Sequence, residues 1–290
     1  MGGAKLAFGL SKTLEPEQLT IVANTGDDEE FFGLYICPDI DTITYTLAGI
    51  NNTDTGWGIQ DDKFDSLEIL EAYGYPSWFK LGNKDLATHI SRTDLMRKGQ
   101  TLSEITSYLA RCLGVRHTIV PMSEHRIRTV LDTNLGCLSF QEYFVKYHCD
   151  PEVTAIRFNG AAKATPSLKF VESLDSANSL IFCPSNPYLS VAPILAIPGV
   201  REKIAEFNGL RIAVSPIVDN KAIRGPAAKI MSELGLETSC VAVAKEYVGL
   251  CDIFVIDQVD AARIDEITSL GLRAEILDTM MYSDKDKIDL

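Results

Sequence analysis

The chain has 290 residues, 46% of them hydrophobic and 23% charged, with a formal net charge of -13. This balance supports a sizeable core and excludes a disordered chain, while the acidic charge excludes the basic footprint that a nucleic-acid partner needs. No apolar run reaches the roughly 18 to 20 residues that span a bilayer and no signal peptide opens the chain, so a cytoplasmic protein with no membrane partner is expected.

Met1-Gly2-Gly3 reads as a glycine loop ahead of a helix over residues 4–10. The apolar stretch at 19–23 reads as a buried strand that ends in the turn Asn24-Thr25-Gly26-Asp27-Asp28, which delivers polar groups at the strand's carboxyl end. From 41 to about 111 the pattern is mainly helical, with apolar periodicity at 67–73, 86–96 and 105–113, and Thr101 with Glu104 forms a capping box for the last helix. Strand-like runs follow at 118–121, 128–132 and 137–144. Residues 45–160 therefore read as a cap of helices and strands inserted on the main sheet.

After Pro166 the chain alternates. Helices are predicted at 167–174, 192–207, 227–234 and 261–270, and strands at 179–183, 211–215, near 240–243, at 253–257 and at 274–277. Such βα alternation predicts an α/β fold with a doubly wound, mainly parallel sheet, here one elaborated domain over 1–290, whose ligands collect at the carboxyl ends of the strands. The seven cysteines lie scattered with no C-x-x-C pair and read as buried thiols in a reducing compartment. The four histidines show no zinc-ligand spacing.

Three strands end in small polar turns, Asn24-Thr25-Gly26, Pro184-Ser185-Asn186-Pro187 and Ser215-Pro216. Backbone N–H groups at the following helix starts, joined by Ser and Asn side chains, form phosphate cradles, and their convergence suggests a nucleotide pocket; each is also simply a good turn sequence. Asp27, Asp28, Asp39 and Asp41 form an acidic cluster from two adjacent turns. Such carboxylates suit Mg²⁺ shared with substrate phosphates, and Asp39 or Asp41 equally suits the N-cap of the next helix. Asp85, His89 and Arg92 fall on one helical face at i, i+4 and i+7, a pattern that a solvated face also shows. His89 is a candidate general base or a structural hydrogen bonder, and Lys229 a candidate phosphate contact or a surface lysine.

Together these segments resemble the 2-phospho-L-lactate transferase family of coenzyme F-420 biosynthesis, which includes phosphoenolpyruvate transferases in bacterial relatives. The resemblance runs in order through Gly2-Gly3-Ala4-Lys5, the 24–28 turn, Cys37-Pro38-Asp39-Ile40-Asp41-Thr42 and the segment from Lys80 to His89. It continues through Phe140-Gln141-Glu142, Pro184-Ser185-Asn186-Pro187 and Ser215-Pro216-Ile217, and so covers nearly the whole chain.

The resemblance implies a Rossmann-like α/β protein with an inserted cap. It implies a Mg²⁺-dependent transfer of a 2-phospholactyl, enolpyruvyl phosphate or phosphoglyceryl group from a guanosine diphosphate-linked donor to 7,8-didemethyl-8-hydroxy-5-deazariboflavin, with release of GMP. By this resemblance Asp41 and one of Asp27 or Asp28 hold the metal, and Asp41, Asp28 and His89 are the catalytic candidates. Asp41 and Lys80 lie near the deazaflavin, with Thr88 and Arg92 following on the same segment. Gly2, Gly3, Lys5, Asn24, Ser185, Asn186, Pro187 and Ser215 are the candidates around the guanine nucleotide. A homodimer is compatible with it. Family members have a further apolar strand before the glycines and a final helix after the acidic end, and both are expected to be missing here. The competing readings are a nucleotide-sugar-binding regulatory protein of the same superfamily without catalysis, and a dinucleotide oxidoreductase. Pro38-Asp39-Ile40-Asp41 and the Lys80 to His89 segment favour the transferase over the first, and no complete G-x-G-x-x-G after a strand supports the second.

Overall fold

In the computed structural model, which describes residues 2–222 and 225–290, helix α1 (Gly2–Thr13) begins at Gly2. The two glycines are therefore its first turn rather than a loop ahead of it, and Met1 lies outside the described residues. Strand β1 (Thr20–Ala23) runs into the 24–28 turn. A hairpin of β2 (Glu29–Phe31) and β3 (Leu34–Ile36), absent from the sequence reading, reverses at Phe32-Gly33, both in the left-handed region with φ of 54° and 71°. Helix α2 (Pro38–Leu47) opens on a proline, whose fixed φ and missing N–H suit the first helical position. Its N-cap is Cys37, so neither Asp39 nor Asp41 caps it.

Helices α3 (Asp65–Ala72), α4 (Asn83–Arg97) and α5 (Leu102–Cys112) follow, the last with the Thr101–Glu104 capping box in place. Strand β4 (Thr118–Pro121) then returns to pair in parallel with β1. Strands β5 (Arg128–Thr133), β6 (Gly136–Ser139) and β7 (Val153–Asn159) make an antiparallel sheet in the order β6-β5-β7. The strand expected over 137–144 stops at Ser139. There Ser139 and Glu142 exchange hydrogen bonds, with the Ser139 N–H donating to Glu142 Oε2 at 3.0 Å and the Glu142 N–H to Ser139 Oγ at 3.3 Å. This S-x-x-E box starts a π-helical segment at Glu142–Lys146.

The second half holds α6 (Leu168–Ser176), β8 (Ser179–Phe182), a π-helical turn at Pro187–Val191, α7 (Ala192–Leu195), α8 (Val200–Ala205) and β9 (Leu210–Val214). Next come the small hairpin β10 (Ile217–Val218) and β11 (Lys221–Ala222), then α9 (Ala227–Glu233), α10 (Cys240–Glu246) and β12 (Ile253–Asp257). The chain closes with α11 (Ile264–Ser269), β13 (Arg273–Leu277) and α12 (Asp284–Asp289). The helix expected over 192–207 is two helices, parted at Pro198-Gly199, where Gly199 has φ 81°. The strand expected near 240–243 is helix α10. Its five successive buried residues Cys240 to Ala244 show no period, and Ser239 caps it through its Oγ on the Ala242 N–H at 3.1 Å.

Four strands form a parallel sheet in the order β13-β12-β9-β8. One apolar core runs from Val120 and Met122 through Phe182, Ala213 and Phe254 and so joins the β1-β4 pair to this sheet. The architecture is a Rossmann-like α/β fold that also carries helices α3 to α5 and the antiparallel β6-β5-β7 sheet. All seven cysteines are free, and Cys112 and Cys137 are exposed rather than buried. Among the described residues no helix is long and apolar enough to cross a membrane.

The acidic end does form a helix, and α12 lies against α1: a Cβ at Gly9 would sit 1.6 Å from the Lys287 carbonyl oxygen. In a helix interior Gly→Ala ordinarily gains about 1 kcal/mol. Here the α12 backbone would have to move, so Gly9→Ala is expected to destabilise by about 1–3 kcal/mol. Urea unfolding checks this, and an unchanged or higher midpoint would contradict the α1–α12 packing.

Candidate active site

A cavity of about 560 Å³ opens beside the 24–28 turn and the start of α2. At one wall, α1 abuts the turn that follows β8. A Cβ on Gly2 would lie 2.1 Å from the Pro184 carbonyl oxygen, so only glycine there lets the helix start come this close, and one on Gly3 would lie 2.9 Å from Ser185 Oγ. Gly2, Lys5, Ser185 and Asn186 line this wall, and Lys5 Nζ donates to the Met281 carbonyl at 2.6 Å. Asn186 Oδ1 accepts from the N–H groups of Tyr188 and Leu189, capping the π-helical turn, while its Nδ2 is buried with no hydrogen-bond partner among the described residues. Pro187 is the first residue of that turn and does not line the cavity. Ser215 is fully buried and closes its own turn, donating to the Ile217 carbonyl at 2.9 Å; its neighbour Pro216 is the one that reaches the cavity.

The four aspartates divide into separate environments. Asn24 Nδ2 bridges two of them, donating to Asp27 Oδ1 and Asp39 Oδ2 at 3.2 Å each, while Asn24 Oδ1 accepts the Gly26 N–H at 2.8 Å. Asp27 and Asp39 both line the cavity. Burial, then repulsion from Asp39 and Asp28, pushes the Asp27 carboxyl well above its ordinary value, and enclosure raises Asp39 as well. Asp28 turns the other way. It does not line the cavity, its Oδ2 accepts from Cys37 Sγ at 3.2 Å, its Oδ1 has no hydrogen-bond partner among the described residues, and burial pushes it up to about 7.

Asp41 is already answered by a cation. Arg92 on α4 is 1% exposed and grips both carboxylate oxygens of Asp41 on α2, Nη1 donating to Oδ2 at 3.1 Å and Nη2 to Oδ1. His89 Nδ1 lies 3.2 Å from Arg92 Nη1, His89 Nε2 lies 3.2 Å from Asp85 Oδ1, and the Tyr45 hydroxyl donates to Asp85 Oδ1 at 2.7 Å. Burial alone would raise Asp85, but its bonding to His89 and Tyr45 and the charge of Arg92 hold it below its ordinary value. The face carrying Asp85, His89 and Arg92 is thus buried, not solvated. Among the described residues, Asp41, Asp85 and His89 are the one group of three such side chains whose ligand atoms lie within 4.8 Å of one another. Asp27, Asp28 and Asp41 do not converge in that way. The guanidinium of Arg92 already supplies the positive charge in the Asp41 group.

Lys80 stands exposed at the rim and lines the cavity; Thr88 is half-buried on α4 beside Tyr45 and does not. Lys229 is committed elsewhere, to the Pro151 carbonyl at 2.8 Å and to Glu233. Sequence reasoning missed most of the aromatic wall. Trp57 and Trp78, the chain's two tryptophans, line the cavity with Phe79, Phe140 and Phe144. Phe79 stacks on Phe31 at 4.4 Å, Trp78 meets Phe31 edge-on at 4.8 Å, and Phe140 stacks on Phe144 at 5.4 Å. Tryptophans in turn-rich segments beside Gly56, Gly58 and Pro76 were the available signal.

Asp41→Asn leaves Arg92 buried without its main counter-charge. Removing one partner of such a pair costs about 3–5 kcal/mol, so the variant is expected to melt roughly 6 °C or more below wild type. Calorimetry checks this, and a wild-type melting temperature would contradict it.

A family model described as 2-phospho-L-lactate transferase CofD matches residues 1–279. The chain is 40% identical over 287 residues to the phosphoenolpyruvate transferase of Streptomyces griseus, covering 97% of this chain and 90% of the relative. It is 37% identical over 289 residues to the 2-phospho-L-lactate transferase of Methanosarcina acetivorans, covering 100% and 94%. A crystal structure of a UPF0052 family member from Bacillus halodurans superposes with a TM-score of 0.60 at 14% identity over 96% of this chain and 89% of that one, a likeness of fold alone.

Proposed function

The chain belongs to the 2-phospho-L-lactate transferase family, and from that premise we propose that it carries out a transfer step of coenzyme F-420 biosynthesis. In this reading it moves a 2-phospholactyl, enolpyruvyl phosphate or phosphoglyceryl group from a guanosine diphosphate-linked donor to 7,8-didemethyl-8-hydroxy-5-deazariboflavin and releases GMP. The observation that carries it is a single cavity with two kinds of wall and an acidic pair on the same surface. A helix start and a Ser-Asn turn suit a phosphate-linked nucleotide, the aromatic wall suits a planar tricyclic ring, and Asp27 with Asp39 belong to the lining.

In the reaction the acceptor's terminal ribitol hydroxyl forms a bond to the phosphorus bearing the three-carbon acid, and the bond from that phosphorus to GMP breaks. Charge grows on the non-bridging and leaving oxygens, so positioning and electrostatics supply most of the catalysis. The N–H groups at the start of α1 and the Asn186 amide face the nucleotide phosphates. Asp27 and Asp39 fit Mg²⁺: they are oxygen donors, they share one amide, burial raises both carboxyls, and Asp39 adds a repulsion on Asp27 that a divalent cation relieves. Bound there, Mg²⁺ supplies neutralisation of the developing phosphoryl charge. Asp41 and Asp28 move to supporting roles, Asp41 as the counter-charge of Arg92 and Asp28 beneath the turn. One carboxylate of the Asp27–Asp39 pair takes the hydroxyl proton. His89, with its ring nitrogens turned to Arg92 and Asp85, orients both.

Incubation with the donor, the deazaflavin and Mg²⁺ should release GMP only when the acceptor is present. No release, together with a melting temperature raised by UDP-sugars but not by GDP, would overturn the reading in favour of a regulatory nucleotide-sugar binder. Asp27→Asn is expected to stay folded and to lose about a hundredfold in turnover, part of it regained at high Mg²⁺. Lys80→Ala should weaken deazaflavin binding by roughly five- to tenfold and spare GDP, in keeping with the loss of one polar contact at the rim. Unchanged affinity in a fluorescence titration would remove Lys80 from the acceptor site.

A further inference from the structure

Gln141 is 3% exposed and lines the cavity, yet no step above uses it. Its Nε2 donates to the backbone carbonyl of Asp27 at 2.9 Å. The antiparallel sheet grips the same turn through the Thr129 N–H, which donates to the Gly26 carbonyl at 2.6 Å. The turn has no slack there, since a Cβ on Gly26 would lie 2.7 Å from Thr129 Oγ1 and 3.0 Å from Asn24 Oδ1. Gln141 itself sits inside the Ser139–Glu142 capping box, and its neighbour Phe140 stacks on Phe144, both facing the cavity. A ligand that settles against that stacked pair therefore bears on the residue whose amide sets the position of Asp27.

We infer that Gln141 is a positioning residue that couples the aromatic wall to Asp27, so that a planar aromatic ligand and a divalent cation at Asp27 strengthen each other's binding. The inference rests on the reading that Asp27 holds the cation. Coupling of this kind is reciprocal in binding free energy and ordinarily amounts to about fivefold or more in affinity. The energy comes from position: a ring that settles on the Phe140–Phe144 pair sets the Gln141 amide, and in a turn without slack the Asp27 carbonyl and its carboxylate follow.

The test measures Mn²⁺ affinity by electron paramagnetic resonance on the full chain, with and without 7,8-didemethyl-8-hydroxy-5-deazariboflavin, for wild type and Gln141→Met. Methionine keeps the side-chain length and removes the donor. Wild type is expected to bind Mn²⁺ about fivefold or more tightly in the presence of the deazaflavin. In Gln141→Met that difference should vanish, with deazaflavin affinity changed by less than about twofold, the signature of lost coupling rather than a lost contact. A merely structural glutamine would lower the melting temperature and leave the ratio intact. If Gln141→Met does not fold, Gln141→Asn, whose shorter amide falls short of the Asp27 carbonyl, takes its place with the same expectation. An undiminished ratio in the folded variant overturns the inference, as does a wild type that binds both ligands without coupling. A wild type that binds no Mn²⁺ overturns the Asp27 cation reading and the inference with it.

Discussion

A guanidinium with 1% of its surface exposed must be met by an anion, and in this protein Arg92 is met by Asp41. The pair joins α4 to α2, the helix whose first turn presents Asp39 to the cavity. Nearby the Tyr35 N–H donates to Thr93 Oγ1 at 2.8 Å, and Arg92 Nη1 donates to the Tyr35 carbonyl at 3.4 Å, so α4 is stitched to β3 as well. Thr93 Oγ1 in turn donates to the His89 carbonyl. The position of the acidic lining thus depends on one buried charge and the backbone groups around it.

That constraint divides the carboxylates by role. Asp41 and Asp85 stand in a ladder that contains its own cation, with His89 between them and Tyr45 at its end. Among the described residues Asp27 and Asp39 share the neutral amide of Asn24, and Asp39 repels Asp27, which suits that pair to an external divalent charge. An acidic chain with a formal net charge of -13 would otherwise resist a polyphosphate ligand. The local devices are the α1 helix start, the Asn186 amide and this carboxylate pair, and together they offset the overall repulsion.

Much of this was legible from local pattern. The 24–28 turn, β4, β12 and the Thr101–Glu104 box follow from turn chemistry, apolar runs and capping, which act over a few residues. The βα alternation of the second half likewise implied the parallel sheet. The α10 segment was misread because a helix buried on all sides carries no period. The β2–β3 hairpin escaped because three-residue strands are too short to show one. The end of β6 was readable in Ser139-Phe140-Gln141-Glu142, a capping box that went unused.

The candidate site was harder. Asp27 and Asp28 are neighbours in sequence with opposite fates, one on the cavity and one against Cys37, and the backbone of the turn decides which. Asp41 meets its partner 51 positions away, beyond the reach of any local pattern. The most direct measurement of the account is an anomalous-difference map from crystals soaked with Mn²⁺ and GDP. A peak is expected between the Asp27 and Asp39 carboxylates with Arg92 still on Asp41. A peak among Asp41, Asp85 and His89 with Arg92 displaced would contradict it.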